Sequence, residues 1–97
     1  MLYKFTHKAS DDLTDIYLYG FINFGEPQAE HYFTNLEKCF QLLSETPLMC
    51  RGRTEFSPLV RIHHHKHHLI IYTIQPEHIL IVRILHDTVD IQRHLND

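Results

Sequence analysis

The strongest constraint in this sequence is an almost uninterrupted apolar run near its end, residues 79–85. Most residues of the run are β-branched, which is typical of a strand buried on both faces in the middle of a sheet. One charge, Arg83, interrupts the run, and His86 follows it. A buried arginine costs free energy unless it meets an opposite charge or faces a groove. The run therefore predicts a central strand and raises the question of what Arg83 contacts.

The chain is long enough for one domain, residues 1–97, and too short for two. Its 9 basic and 12 acidic residues give a net charge of −3, which argues against direct nucleic-acid binding as its main role. Cys39 and Cys50 form no disulfide pattern and no C-x-x-C motif. No apolar run reaches membrane-spanning length, and the start is too polar for a signal peptide. We therefore expect a cytoplasmic protein with reduced thiols and no membrane association.

The first half of the chain predicts a strand followed by two helices. Residues 2–7 alternate as a strand does, and Ser10 precedes two acids as a helix N-cap. Apolar residues then recur at helical spacing over residues 11–23, ending with Phe21 and Phe24. A second amphipathic pattern spans residues 27–44. Because the link between them is so short, the two helices must form an antiparallel hairpin, and we expect their aromatic stripes to be core.

The second half predicts three strands, at residues 59–64, 67–74 and 78–85, and a short closing helix. Residues 48–57 look irregular. Helices that precede a strand meander indicate an α+β domain with the helices on one face of the sheet.

Alternation along the strands predicts which residues share a face. A two-residue turn at His65-Lys66 would pair His63 with His68 and Arg61 with Ile70. Leu69 and Ile71 would then lie under the helices, whereas the helix-free face would carry three polar residues: Arg61, Tyr72 and Arg83. Such a face, apolar with a few arginines, suits a protein-binding groove.

The run of histidines at residues 63–68 resembles a metal site. A structural zinc site needs four ligands, however, and no acid or thiol lies nearby in the sequence to complete it. We expect an exposed hairpin tip with no metal and no cofactor, where His63 and His68 could bind an ion only adventitiously.

Arg61, Arg83 and His86 also suggest a phosphate-handling site, with His86 as the general acid. Arg83 and His86 are three residues apart, so a regular strand places them on opposite faces, although a bulge could bring them together. The simpler interpretation, which we favour, is that His86 ends the strand and Arg83 pairs with a local carboxylate.

Several segments, in order, resemble the ParE toxins of the RelE/ParE superfamily. Residues 9–16 match A-x-x-D-L-x-x-I, and residues 25–32 match G-x-x-Q-A-x-x-Y. Residues 68–72 match H-x-I-x-Y, and residues 42–53 resemble L-L-x-x-x-P followed by G-R. Residues 83–95 are similar to R-I-L-H-x-x-M-D-x-x-R-H-L, with Val89 in place of the methionine. Each motif is weak alone, but their order covers nearly the whole chain.

The resemblance implies a non-enzymatic toxin that poisons DNA gyrase and is neutralised by a cognate antitoxin, and it allows a larger toxin–antitoxin assembly. It implies that antitoxin or target would contact five residues: Arg53, Arg61, Tyr72, Arg83 and Arg93. The RelE branch offers an alternative, a ribosome-dependent ribonuclease that would use four residues: Arg61, Tyr72, Arg83 and His86. The net acidic charge departs from that branch. A third alternative is a degenerate toxin that serves only as antitoxin partner and co-repressor.

Overall fold

A computed structural model describes residues 2–95 and shows a five-stranded sheet in the order β1-β5-β4-β3-β2. β1 is parallel to β5, and all other neighbours are antiparallel. The α+β class, the two-helix hairpin and the strand meander are therefore confirmed. The elements are β1 (Leu2–Phe5), α1 (His7–Phe24), α2 (Glu26–Glu45), a 3₁₀ turn (Pro47–Met49), β2 (Gly52–Arg53), β3 (Val60–His65), β4 (His68–Ile74), β5 (His78–His86) and α3 (Ile91–Leu95).

α1 begins one turn earlier than predicted, because Thr6 and not Ser10 is its N-cap. The Thr6 hydroxyl accepts a hydrogen bond from the Ala9 amide at 3.1 Å and donates one to the Val82 carbonyl at 2.7 Å. The cap therefore also fastens the start of α1 to β5. At the other end, Gly25 adopts φ 90° and allows the chain to reverse into α2.

The helix hairpin covers one face of the sheet, as predicted. Gly20 of α1 faces Ala29 of α2, and a Cβ at Gly20 would lie 3.5 Å from that of Ala29, an ordinary van der Waals contact. The buried core on this face combines Ala9 of α1 and three residues of α2 with the sheet. Its members are Ala9, Leu36, Phe40, Leu43, Ile70, Tyr72, Ile79, Ile81 and Ile84.

The predicted register of the β3–β4 hairpin is wrong by two residues. The turn is Lys66-His67, and His65 pairs with His68 while Arg61 pairs with Tyr72. Lys66 takes φ 53°, a left-handed conformation that a lysine side chain does not signal in a sequence. A register shift of two residues leaves Arg61 and Tyr72 on one face of the sheet, as predicted. That face, however, is the one that the helices cover.

The prediction that side chains alternate strictly between the two faces along β5 is also wrong, because a β-bulge interrupts the alternation. Ile71 pairs with Arg83 and Tyr72 with Ile81, which leaves Val82 as the additional residue. As a result Ile81 and Ile84 both enter the core under the helices, although they are three residues apart.

The opposite face carries a smaller core that α3 partly covers. Phe56, Val60, Ile71 and Leu85 are buried there, and residues of the last segment, including Ile91 and Leu95, pack against them. The prediction that Ile71 lies under the helix hairpin is therefore wrong, and so is that for Leu69, which pairs with Leu85. The two-residue strand β2 was not predicted, because two residues show no alternation.

Arg83 joins three elements where β1 ends. Its Nε and Nη2 atoms donate to Asp12 of α1 at 2.8 and 3.0 Å, and its Nη1 donates to the His94 carbonyl of α3 at 3.4 Å. Asp12 also accepts from the Ile84 amide at 3.0 Å. Both charged side chains are only 14% exposed. The pairing of Arg83 with a carboxylate is confirmed, but the prediction that this carboxylate is local is wrong, because Asp12 lies 71 residues away.

We expect Asp12→Asn to lower the free energy of unfolding by about 3 kcal/mol, because it leaves the mostly buried guanidinium without its counter-charge. Urea unfolding at pH 7 measures the change. The matched control is Asp11→Asn, whose side chain is 66% exposed and pairs with His7; it should change stability by less than about 0.5 kcal/mol. Equal losses in the two variants would contradict a structural role for the Asp12–Arg83 pair.

Candidate functional site

The polar residues predicted for one open face are distributed over different environments. Tyr72 is fully buried under the helices, and Arg83 is paired on the other side of β5. The predicted placement of Tyr72 on the helix-free face is therefore wrong. His86 is 50% exposed and pairs with His68, whereas Arg83 pairs with Ile71, so the spacing does separate them as predicted.

Tyr72 has the surroundings of a core residue. Its hydroxyl donates to the Pro47 carbonyl at 2.7 Å, which ties β4 to the end of the helix hairpin. Burial raises the pKa of the phenol, and the neighbouring Cys50 raises it further. The group stays protonated at neutral pH and cannot serve as a base in this position.

The remaining arginines are accessible to different degrees. Arg61 is partly buried, and its Nη1 donates to the Cys50 carbonyl. Arg53 is paired with Glu55 at 2.8 Å, and its guanidinium lies 5.7 Å from the centre of the Phe56 ring. Arg93 is exposed on α3. These three can still offer a guanidinium edge to an acidic partner.

An apolar depression of about 570 Å³ lies on the open face of the sheet. It is lined mainly by Leu59, Thr73, Ile74, Leu80 and Val82, and Arg61 also contributes to the lining. Leu59 and Ile74 are 44% and 37% exposed. The depression fits an extended apolar segment better than a small polar substrate, since few convergent polar groups line it.

A second apolar surface covers the far half of α1. Leu18, Tyr19 and Ile22 are exposed along one side, and Phe21 and Phe24 are exposed beside them. The prediction that the aromatic stripe of α1 is core is therefore wrong for these two phenylalanines. The core under the helices includes Leu13 and Ile16 of α1 but nothing of α1 beyond them. Helical spacing indicates a stripe, but it does not show where the sheet beneath it ends.

The histidine-rich hairpin is exposed at its tip and partly buried at its base. His64, Lys66 and His67 are exposed as predicted. The predicted cross-strand pair is wrong, because His63 lies opposite Ile70 and His68 lies opposite His65. Within residues 2–95, no group of three or more His, Cys, Asp or Glu is arranged to hold a metal ion.

The partly buried histidines contact α2 and the loop that follows it. Nδ1 of His68 lies 2.5 Å from the Tyr32 hydroxyl, and Nδ1 of His65 lies 3.3 Å from the Cys39 sulfur. Burial lowers the pKa of His68 to about 4 and raises that of Tyr32 to about 12. Burial also lowers the pKa of His63 and of His65. These rings are therefore neutral at pH 7.

The sequence as a whole matches the model of one protein family. The matching model is that of the ParE toxin of type II toxin–antitoxin systems, parDE, and it covers residues 3–91. The chain belongs to the ParE toxin family. Among curated proteins, none shows a significant match to this chain.

One solved structure supports the fold independently. It is the chromosomal ParDE TA system from P. aeruginosa, which shares 24% sequence identity with this ParE family member and superposes on it with a TM-score of 0.76. The match covers 89% of this chain and 95% of that one. At this identity the likeness demonstrates the fold alone. Within residues 2–95, no helix is both long and apolar enough to cross a bilayer.

The partly buried His68 predicts a loss of stability in mild acid. The folded pKa of His68, about 4, lies below its usual 6.5, so the unfolded chain binds protons first. The contribution of His68 to the free energy of unfolding is therefore complete above pH 6.5 and is lost as the pH falls towards 4. After allowing for the part of the ring that water reaches, we expect the free energy of unfolding to fall by about 1 kcal/mol between pH 7 and 5.

Urea unfolding at the two pH values measures this loss. His68→Asn should flatten the dependence, whereas the control His67→Asn, at an exposed position, should leave it unchanged. A His68→Asn variant with the full wild-type pH dependence would show that His68 is not its source.

Proposed function

We propose that this ParE family member is the toxin of a type II toxin–antitoxin pair, that it acts by binding DNA gyrase, and that a cognate antitoxin neutralises it. The observation that carries the proposal is the family match over residues 3–91. Gyrase as the target is what the resemblance to ParE toxins implies, and it is the part of the proposal that most needs a test.

The geometry weighs in favour of binding and against catalysis. The ribonuclease alternative needs Arg61, Tyr72, Arg83 and His86 to converge on one substrate. Tyr72 is fully buried, Arg83 is held by Asp12, and His86 projects from the opposite face of β5 to Arg83. A phosphate that reached His86 would meet neither of them, so no general acid lies beside a charged clamp.

Two exposed apolar surfaces supply area for protein partners. The stripe on α1 presents Leu18, Tyr19 and Ile22 at helical spacing, which suits a partner helix. The depression on the open face, with Arg61 in its lining, suits an extended segment that carries carboxylates, and Arg93 is exposed on α3. We assign the direct contacts to Arg53, Arg61 and Arg93, while Tyr72 and Arg83 act only by shaping the surface from inside.

A supercoiling assay with purified gyrase tests the target. We expect the folded toxin to inhibit supercoiling and to trap cleaved DNA, and a molar excess of antitoxin to restore activity. Unchanged supercoiling at high toxin excess, with no trapped cleavage, would rule gyrase out. In cells, codon-internal mRNA cleavage that disappears in His86→Ala would support the ribonuclease instead. Normal growth on expression of folded toxin alone would support the degenerate toxin.

Charge reversal on α3 tests the proposed contact surface. Arg93→Glu should raise the toxin concentration needed for half-inhibition of gyrase about tenfold, equal to about 1.4 kcal/mol of binding free energy. The matched control is Lys38→Glu, an exposed charge reversal on α2, across the sheet from α3, which should change it less than about twofold. Both variants should keep the wild-type Tm, because both side chains are exposed. Equal inhibition by Arg93→Glu and wild type would show that Arg93 is not part of the surface that contacts gyrase.

A further inference from the structure

The exposed side of α1 is acidic in its first half and apolar in its second half. Asp11, Asp15, Leu18 and Ile22 follow one another at spacings of four, three and four residues, so they share one side of the helix. All four side chains are exposed, and Ile22 is 78% exposed. The apolar stripe of α1 therefore continues, towards the start of the helix, into carboxylates.

The stripe is large enough to form the centre of an interface. The exposed fractions of its five apolar side chains add up to about three whole side chains, or about 500 Å² of surface. No residue from 16 to 25 carries a charge. The largest apolar patch of a typical monomer covers about 300–600 Å² and is often a binding site. An interface of about 800 Å² per partner needs an apolar centre of this size, and polar residues supply the rest.

Carboxylates also border the stripe on the side of α2. A depression of about 440 Å³ lies where α1 meets α2, and both Leu18 and Glu30 line it. The Glu30 carboxylate accepts a hydrogen bond from the Tyr17 hydroxyl at 2.7 Å. This hydrogen bond raises the pKa of the phenol, and the negative charges of Glu30 and Glu26 raise it further. The surface around the stripe is therefore negative on two sides.

The helix hairpin holds most of the negative charge of the chain. Residues 7–45 contain seven acids and two lysines, a net charge of −5, whereas the whole chain carries −3, so the rest of the chain carries +2. Arg83 neutralises one of the seven acids, Asp12, and the hairpin stays negative. A second copy docked stripe to stripe would bring two negative hairpins together, which like-charge repulsion disfavours. The charge of the hairpin favours a positively charged partner.

We propose that the apolar stripe of α1 binds an amphipathic helix of a protein partner, in which lysine or arginine flanks the apolar face. Apolar side chains of that helix, three and four residues apart, pack on Leu18, Tyr19 and Ile22. Its cations meet Asp15 at one end of the stripe and Glu30 on the side of α2. The inference rests on the proposed function, in which the stripe takes a partner helix, and it specifies the chemistry of that helix.

Two designed peptides of about 18 residues test the charge preference, since a helix of that length spans the stripe. Both carry leucines at helical spacing and a fluorescent label, and their flanking residues are lysine in one and glutamate in the other. Fluorescence anisotropy measures their binding to the full chain. We expect the lysine peptide to bind at least about tenfold more tightly at about 0.05 M salt, and the preference to shrink at about 0.5 M salt.

Matched variants locate the binding surface. Ile22→Ser and Asp15→Lys should each weaken binding of the lysine peptide about tenfold. The controls are Leu48→Ser, at an apolar residue that is 72% exposed after α2, and Glu77→Lys, at an exposed acid in the link before β5. Each control should change the affinity less than about twofold. Circular dichroism confirms the fold, and Leu18→Ser replaces Ile22→Ser if the latter is unfolded.

Four outcomes would overturn the proposal. Equal affinity for the two peptides would refute the charge preference, and unchanged affinity in Ile22→Ser would place the peptide on another surface. A wild-type dimer in sedimentation equilibrium that Ile22→Ser makes monomeric would assign the stripe to a second copy. Binding to phosphatidylcholine vesicles that Ile22→Ser abolishes would assign it to a membrane.

The peptide assay fails or succeeds separately from the gyrase assay. Binding of the lysine peptide without inhibition of supercoiling would support the partner helix and refute gyrase as the target. Inhibition of supercoiling without binding of either peptide would refute the partner helix and leave the proposed target intact.

Discussion

The contact between Arg83 and Asp12 is the interaction on which the relation of helices to sheet depends. β1 stops pairing with β5 at Ile81, and beyond that point the edge of β5 would present bare backbone groups. Asp12 supplies the hydrogen-bond acceptor there, since its carboxylate accepts from the Ile84 amide and from the guanidinium of Arg83. Arg83 also reaches the His94 carbonyl. One mostly buried ion pair thus joins α1, β5 and α3. Because removal of either partner would leave a buried charge, this position tolerates little change.

The bulge at Val82 determines which residues the surface can offer. The bulge directs the side chains of Ile81 and Ile84 into the same core and leaves that of Arg83 on the opposite face of the sheet. Together with the hairpin register, it keeps Tyr72 and Arg83 away from solvent. The accessible surfaces are instead an apolar stripe on α1 and an apolar depression whose lining includes Arg61. Apolar surface with a charged rim is how protein interfaces are built, and it gives little support to bond-breaking chemistry.

Much of the fold follows from patterns that are local in sequence. The strand-like run at residues 79–85, the two helical stripes and the Gly25 link were enough to predict the α+β class, the helix hairpin and the meander. The errors have specific physical causes. The register depended on the left-handed conformation of Lys66, the faces of β5 on one bulge, and the helix start on a Thr6 hydroxyl that bonds to Val82. None of these leaves a periodic signal.

The site was less predictable than the fold because its residues meet only in three dimensions. That Arg83 needs a carboxylate follows from its apolar surroundings, but the choice of Asp12, 71 residues earlier, does not. The thiol partners of His63 and His65 were equally hidden, and sequence distance suggested that there were none. The exposure of Phe21 and Phe24 depends on where the sheet ends beneath α1.

The coupling free energy between Asp12 and Arg83, from a double-mutant cycle with Asp12→Asn and Arg83→Met, tests the central claim most directly. The asparagine oxygen can still accept from the Ile84 amide, and the methionine fills the apolar path of the arginine stem. If this pair organises the fold, the double variant will be more stable than the sum of the single losses predicts, with a coupling of about 2 kcal/mol. A coupling below about 0.5 kcal/mol, the value of an exposed ion pair, would contradict the account.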